Sequence, residues 1–176
     1  MNQMIEELLI LVNQQDTPIG TMPKLLAHQR GCLHRAFSIF IFNHKNELLI
    51  QQRALHKYHS AGQWANSCCS HPRPQEETHD AALRRLNDEL GFSTELKHVG
   101  EFIYKADVYG GLIEHEYDHL FVGYYDALVI PNPDEVSAIR WVSLDVLDKE
   151  IRIHPEKFTP WFKKIWEKYP LLNFYS

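Results

Sequence analysis

Apolar runs of strand length alternate along this chain with clusters of turn-forming residues, and a period of two dominates its middle. Leu8 to Val12 is one such run, and Gln14 to Pro18 with Gly20 reads as a turn. Thr21 is placed to cap a short helical turn with Pro23 at its start, carrying Lys24 towards His28. Ala36 to Phe42 is apolar on both faces, as a central strand requires, and His44-Lys-Asn46 turns the chain into Leu48-Leu-Ile50. From Arg53 to Trp64 no periodicity survives, which predicts a loop with a basic cluster of Arg53, His56, Lys57 and His59.

Helical spacing begins at Thr78, a suitable N-cap, and ends at Gly91, where a left-handed C-terminal residue belongs. Leu83, Leu86 and Leu90 form its apolar stripe. Glu89 flanks that stripe, so its carboxylate is expected to meet protein, and Arg85 lies one turn before it as a pairing partner. Val99 to Val108 is strand-like, Tyr109-Gly-Gly111 is a turn, and Leu112 to Tyr125 alternates. That alternation sets Glu114 and Glu116 on one face, with His115 and His119 on the other. Pro131-Asn-Pro133 interrupts. Ala138 to Val142 is a further strand, Ser143 caps a short helix, and Thr159-Pro160 opens a last amphipathic helix with Phe162, Ile165, Trp166 and Tyr169 inward. Strands in the middle with helices inserted among them predict an α+β fold in one domain spanning residues 1–176.

Composition narrows the function classes. With 44% hydrophobic and 23% charged residues the chain is ordinary for a globular protein, and its formal net charge of -5 argues against a general nucleic-acid binder. No apolar run reaches the roughly 20 residues of a membrane helix. Met1 to Val12 carries Glu6 and Glu7 ahead of a very short apolar run, unlike a secretory signal. Three cysteines, two of them adjacent, make no disulfide framework. A cytoplasmic protein is the expectation.

Three constellations carry candidate chemistry. Cys32-Leu-His34 and Cys69-Ser-His71 could together form a closed, structural Cys2His2 zinc site, although the spacing is not that of the common fingers. Glu114-His-Glu116 puts two carboxylates about 7 Å apart along one strand face, at roughly 3.3 Å per residue, where they repel unless a divalent cation accepts both. The segment from Ser70 to Gly91 partly matches the Nudix box. Ser70 stands at its glycine and Glu76 follows, but Arg85 replaces the glutamate of its Arg-Glu pair and Asp88 the first glutamate of the next pair. A Nudix diphosphate hydrolase needs those carboxylates for magnesium, so the substitutions weaken that reading and leave Glu89 for one diphosphate-bound magnesium.

Further motifs extend along nearly the whole chain: Gly20-Thr-x-x-Lys24 and His28, Leu33-His34-x-Ala-Phe37-Ser, Arg53-Ala-Leu-x-Lys57, Trp64-x-Asn-Ser-x-Cys69-x-His71-Pro, Arg84-Arg85 through Glu89-Leu-Gly91, Glu114-x-Glu116, Asp134-Glu135-Val and Thr159-Pro-Trp161. Together they resemble the type I isopentenyl-diphosphate isomerases, a non-hydrolytic branch of the Nudix fold with mixed or antiparallel sheets flanked by helices. Ala65 departs from that pattern, where many members have threonine. The resemblance implies interconversion of isopentenyl and dimethylallyl diphosphate through a tertiary carbocation. It implies a zinc or manganese ion held by His28, His34, His71, Glu114 and Glu116, and protons carried by Cys69 and Glu116 on opposite faces of the double bond. It further implies a magnesium ion linking the substrate diphosphate to Glu89 and the Cys69 carbonyl, with Lys24, Arg53, Lys57, Ser70 and Arg85 holding that diphosphate. The partner is then a small isoprenyl diphosphate, with neither nucleic acid nor membrane involved, and the chain is expected to be a monomer.

The chemistry asks for such a site independently. An alkene is a poor base, so the acid must sit in a dry pocket, and water would trap a cationic intermediate. An indole face, for which Trp161 is the candidate, stabilises such a cation by ~2 kcal/mol or more when desolvated.

Overall fold

The computed structural model describes residues 7–57 and 59–174; Met1 to Glu6, where the stretch judged unlike a secretory signal begins, lie outside them. Its centre is β3 (His34–Phe42), which runs beside β8 (Leu112–Tyr124) in parallel over its full length. The same strand meets β6 (Cys68–Ser70), β1 (Leu8–Val12) and β4 (Glu47–Arg53) in antiparallel register. A long antiparallel hairpin joins β8 to β7 (Leu96–Val108) through the glycine turn read from the sequence. On the other side, β4 pairs with β9 (Val136–Ser143) and β5 (Trp64–Ala65). The result is one mixed nine-stranded sheet.

The apolar character of both faces of β3 has a direct cause. Phe40 packs against α3 (Leu144–Ile153) and α4 (Pro160–Lys168), through Leu147, Phe162, Ile165 and Trp166. Phe37, Ile39 and Ile41 pack against α2 (Thr78–Leu90), through Ala81, Ala82, Leu86 and Leu90. Helices therefore cover both faces, and the strand buries side chains in two directions.

Several local expectations are corrected. Gly20 lies not in a turn but inside β2 (Pro18–Pro23), the second strand of a hairpin with β1, where its φ of 153° suits glycine. Thr21 belongs to that strand and caps nothing; α1 (Lys24–Arg30) begins after Pro23, and the Lys24 amide donates to the Glu7 carbonyl at 2.9 Å. Thr78 is the first residue of α2 with Glu77 before it, and neither that end nor Ser143 before α3 makes a side-chain cap bond. Gly91 ends α2 at φ 76°, and a Cβ there would stand 2.6 Å from the Ile130 carbonyl oxygen, so glycine is required twice over. Among the described residues no helix is long and apolar enough to cross a membrane.

Candidate functional site

Three strands align one row of side chains. Tyr104 of β7 is the register partner of Glu116 on β8, and Glu116 in turn is the partner of His34 on β3. Two residues earlier on the same buried face of β8 lies Glu114. His28 comes from α1, which packs on β8, and His71 from the turn that follows β6. Five buried residues, His28, His34, His71, Glu114 and Glu116, bring one ligand-capable atom each within 4.8 Å of one another.

The hydrogen bonds indicate what this cluster is built to hold. His34 Nδ1 lies 2.8 Å from the Cys32 carbonyl oxygen, which can only accept, so Nδ1 carries a proton and Nε2 is the nitrogen turned to the cluster. That Nε2 is buried without a hydrogen-bond partner and stands 3.6 Å from Glu116 Oε1. His71 Nε2 lies 2.9 Å from Glu116 Oε1, and His28 Nε2 lies 3.1 Å from Glu114 Oε2. Imidazoles with two carboxylates in a buried pocket suit a divalent cation that takes nitrogen and oxygen ligands. Neither cysteine of the alternative Cys2His2 set belongs to the cluster, and Cys32 Sγ contacts Met22 Sδ at 3.9 Å.

Above the cluster opens a cavity of about 270 Å³. Cys69, Glu114, Glu116, His71 and Trp161 line its inner end; Lys24, Arg53, Lys57, Ser70, Arg85 and Glu89 line the rest. The residues named on the family resemblance therefore lie together, with His28 and His34 in the buried layer beneath. Cys69 pairs with Ser38 across β6 and β3, which fixes its place in the cavity wall. Burial pushes its thiol well above the ordinary cysteine range, so the sulfur keeps its proton. Burial alone would also raise Glu116. The imidazole of His34 and the hydroxyl of Tyr104, which donates to Glu116 Oε2 at 2.5 Å, outweigh it and hold the carboxyl below its usual range.

The outer end is a set of ion pairs. Lys24 reaches Glu7 at 2.9 Å, Arg85 donates to Glu89 at 2.6 Å, and Lys57 donates to Glu135. Gln51 donates to the second oxygen of Glu89 at 2.8 Å. Arg53 lies over the Trp161 ring, 5.1 Å from its centroid. Of the Nudix-box carboxylates, Glu89 lines the cavity, whereas Glu76 is clamped by Arg84 at 2.7 and 2.8 Å and Asp88 faces outward beside Arg84. Four cations (Lys24, Arg53, Lys57, Arg85) face five carboxylates (Glu7, Glu89, Glu114, Glu116, Glu135), a negative excess of one at full ionisation.

Four participants were not read from the sequence. Tyr104 needs cross-strand register to be found. His59, read only as part of the basic cluster in the loop from Arg53 to Trp64, is buried with Nε2 3.2 Å from Glu114 Oε1 and its ring 5.9 Å from Trp161. Burial, reinforced by Arg53 and only partly offset by Glu114, lowers its pKa to about 4, so it stays neutral. Asp118 was legible, since it follows Glu114 and Glu116 in the same period of two. It is fully buried, accepts from Ser38 Oγ at 2.8 Å, and burial together with the Glu116 charge holds it well above the usual carboxylate range. Gln51, inward on β4, gave no signal at all.

Comparison with known proteins follows the same lines. The family model described as the NUDIX domain matches residues 33–162. The isopentenyl-diphosphate Delta-isomerase of Serratia proteamaculans (strain 568) is 52% identical over 161 residues, covering 92% of this chain and 90% of its own. Isopentenyl-diphosphate Delta-isomerase 2 of Photorhabdus laumondii subsp. laumondii is 53% identical, with 92% and 91% covered. Among solved structures, the DR0079 protein of Deinococcus radiodurans superposes with a TM-score of 0.70 at 19% identity, over 84% of this chain and 90% of that one. The MutT protein of Methanosarcina mazei Go1 gives 0.63 at 20% identity, over 77% and 91%. At such identities the likeness concerns the fold alone.

Proposed function

The chain belongs to the Nudix family and, within it, to the isopentenyl-diphosphate Delta-isomerases, and from that membership we propose how its cavity moves a double bond. The protein is an isomerase that interconverts isopentenyl and dimethylallyl diphosphate. The reaction adds a proton at one carbon and removes another two carbons away. Cys69 and Glu116 carry those protons; what supports this is that both line one cavity and differ in resting protonation, a thiol that keeps its proton beside a carboxylate held ionised.

His28, His34, His71, Glu114 and Glu116 would hold a divalent ion, zinc or manganese, which when bound would set the orientation and proton affinity of Glu116 and more than offset the negative excess of the cavity. Tyr104 positions the Glu116 carboxylate from the opposite strand. Lys24, Arg53, Lys57, Ser70 and Arg85 bind the diphosphate at the outer end, and Glu89 is the carboxylate offered to a magnesium ion entering with it. Trp161, buried and facing the cavity, excludes water and offers its π face to the tertiary cation. Residues 1–176 act as one domain, working as a cytoplasmic monomer without a nucleic-acid partner. The formal charge of -5 supports the last point.

Diphosphate hydrolysis is the competing outcome. One assay separates the two: metal-loaded protein is incubated with isopentenyl diphosphate and magnesium, and both the allylic isomer and free phosphate are measured. Isomer without phosphate is expected; phosphate without isomer would sink the proposal.

A further inference from the structure

The opposite face of β8 carries a second cluster that the isomerase chemistry does not use. His98 and Glu101 on β7 are three residues apart, and strict alternation would send them to opposite faces. A register shift between His98 and Gly100 breaks that alternation, with Gly100 at φ 153°, so both side chains emerge on the outward face. Glu101 is the direct register partner of His119 on β8. A bulge and a cross-strand pair thus gather two imidazoles and a carboxylate.

The spacing is that of ligands around one ion. His98 Nε2 lies 3.4 Å from His119 Nδ1 and 3.3 Å from Glu101 Oε2, and the ligand-capable atoms of the three all fall within 4.8 Å of one another. Bonds of about 2.0–2.1 Å in a tetrahedral zinc site set neighbouring ligand atoms roughly 3.3–3.4 Å apart. The outer layer fits as well. His119 Nε2 lies 2.9 Å from Asp16 Oδ2, and Asp16 is gripped by Arg35, through Nε at 2.7 Å on its side chain and Nη2 at 2.6 Å on its carbonyl. A carboxylate that takes the Nε2 proton leaves the Nδ1 lone pair facing His98, the arrangement that orients metal-binding histidines. Burial also holds the imidazole of His119 below the ordinary histidine range, which keeps that lone pair available. His98 and Glu101 are 44% and 42% exposed, leaving the remaining coordination positions to water.

We propose that His98, Glu101 and His119 form a second, solvent-facing site for a divalent transition metal, zinc among the natural candidates, distinct from the buried cluster beneath the other face of the strand. Occupied, it fastens β7 to β8 and, through Asp16, to the turn that follows β1.

The test is a titration of the metal-free protein with Co2+, followed by visible absorption. The native sequence is expected to take up two equivalents, whereas His119→Ala and His98→Gln each take up one and, once loaded, turn over substrate as before. Asp16→Asn should weaken the second equivalent by about ten- to a hundredfold. A single equivalent in the native protein, or two retained in both histidine variants, would overturn the site. His98 is exposed, so its variant decides the matter even if His119→Ala does not fold.

Discussion

The two ends of the catalytic cavity are built on different principles. At the inner end, strand register places Tyr104, Glu116 and His34 in one row, and burial leaves His34 Nε2 with no hydrogen-bond partner. At the outer end, cations come from the start of α1, from the loop after β4 and from α2, and Lys24, Lys57 and Arg85 already hold carboxylate partners. The inner end is set by register and burial; the outer end is a lattice of ion pairs, which the proposed diphosphate would have to rearrange. On the proposed reading, the carboxylate that handles a proton is fixed by strand register, whereas the diphosphate is met by cations free to exchange partners.

That contrast sets the order of expected effects. Cys69→Ala and Glu116→Gln remove the two proposed proton carriers, and kcat should fall by roughly 10³-fold or more. Cys69→Ala should also retain its metal content by elemental analysis, since the sulfur is outside the ligand cluster. Tyr104→Phe deletes a hydrogen bond to a charged group worth about 1.5–3 kcal/mol, so kcat should drop by roughly one to two orders of magnitude with KM little changed. Lys57→Ala at the mouth should do the reverse, raising KM by about tenfold for one lost charge-assisted bond while kcat holds. A Lys57→Ala variant that lost kcat instead would erase the distinction between the two ends.

The smallest effect belongs to the rim. Arg84 clamps Glu76, and its hydrogen bonds, ahead of the opposing burial, hold that carboxyl below the usual glutamate range. A depressed carboxyl contributes stability above its unfolded pKa and loses it as pH falls through the folded value. Glu76→Gln should therefore lower stability at neutral pH by roughly 1 kcal/mol or less, and the difference from the native protein should vanish in acid. Denaturant melts at neutral and acid pH check it.

Which parts of this were legible follows from the range of the forces involved. Alternation along β8 is local, so the Glu114 and Glu116 face was readable, and Asp118 should have been read with it. Tyr104 was not, because its meeting with Glu116 depends on where β7 and β8 pair. His59 sits in a segment without period, and its burial comes from contact with Trp161 and Glu114, both distant in sequence. Helix starts were misplaced at Thr21 and Thr78 because the backbone reached β2 and Glu77 first, and no side-chain cap bond forms there.

The sharpest single measurement follows isopentenyl diphosphate in deuterated water by NMR, with native protein and Cys69→Ala loaded with equal metal. The native protein should give dimethylallyl diphosphate carrying solvent deuterium, and the variant should give none over the same time. Equal rates of deuterated product from both would contradict a sulfur-borne proton, and with it the paired thiol and carboxylate on which the mechanism stands.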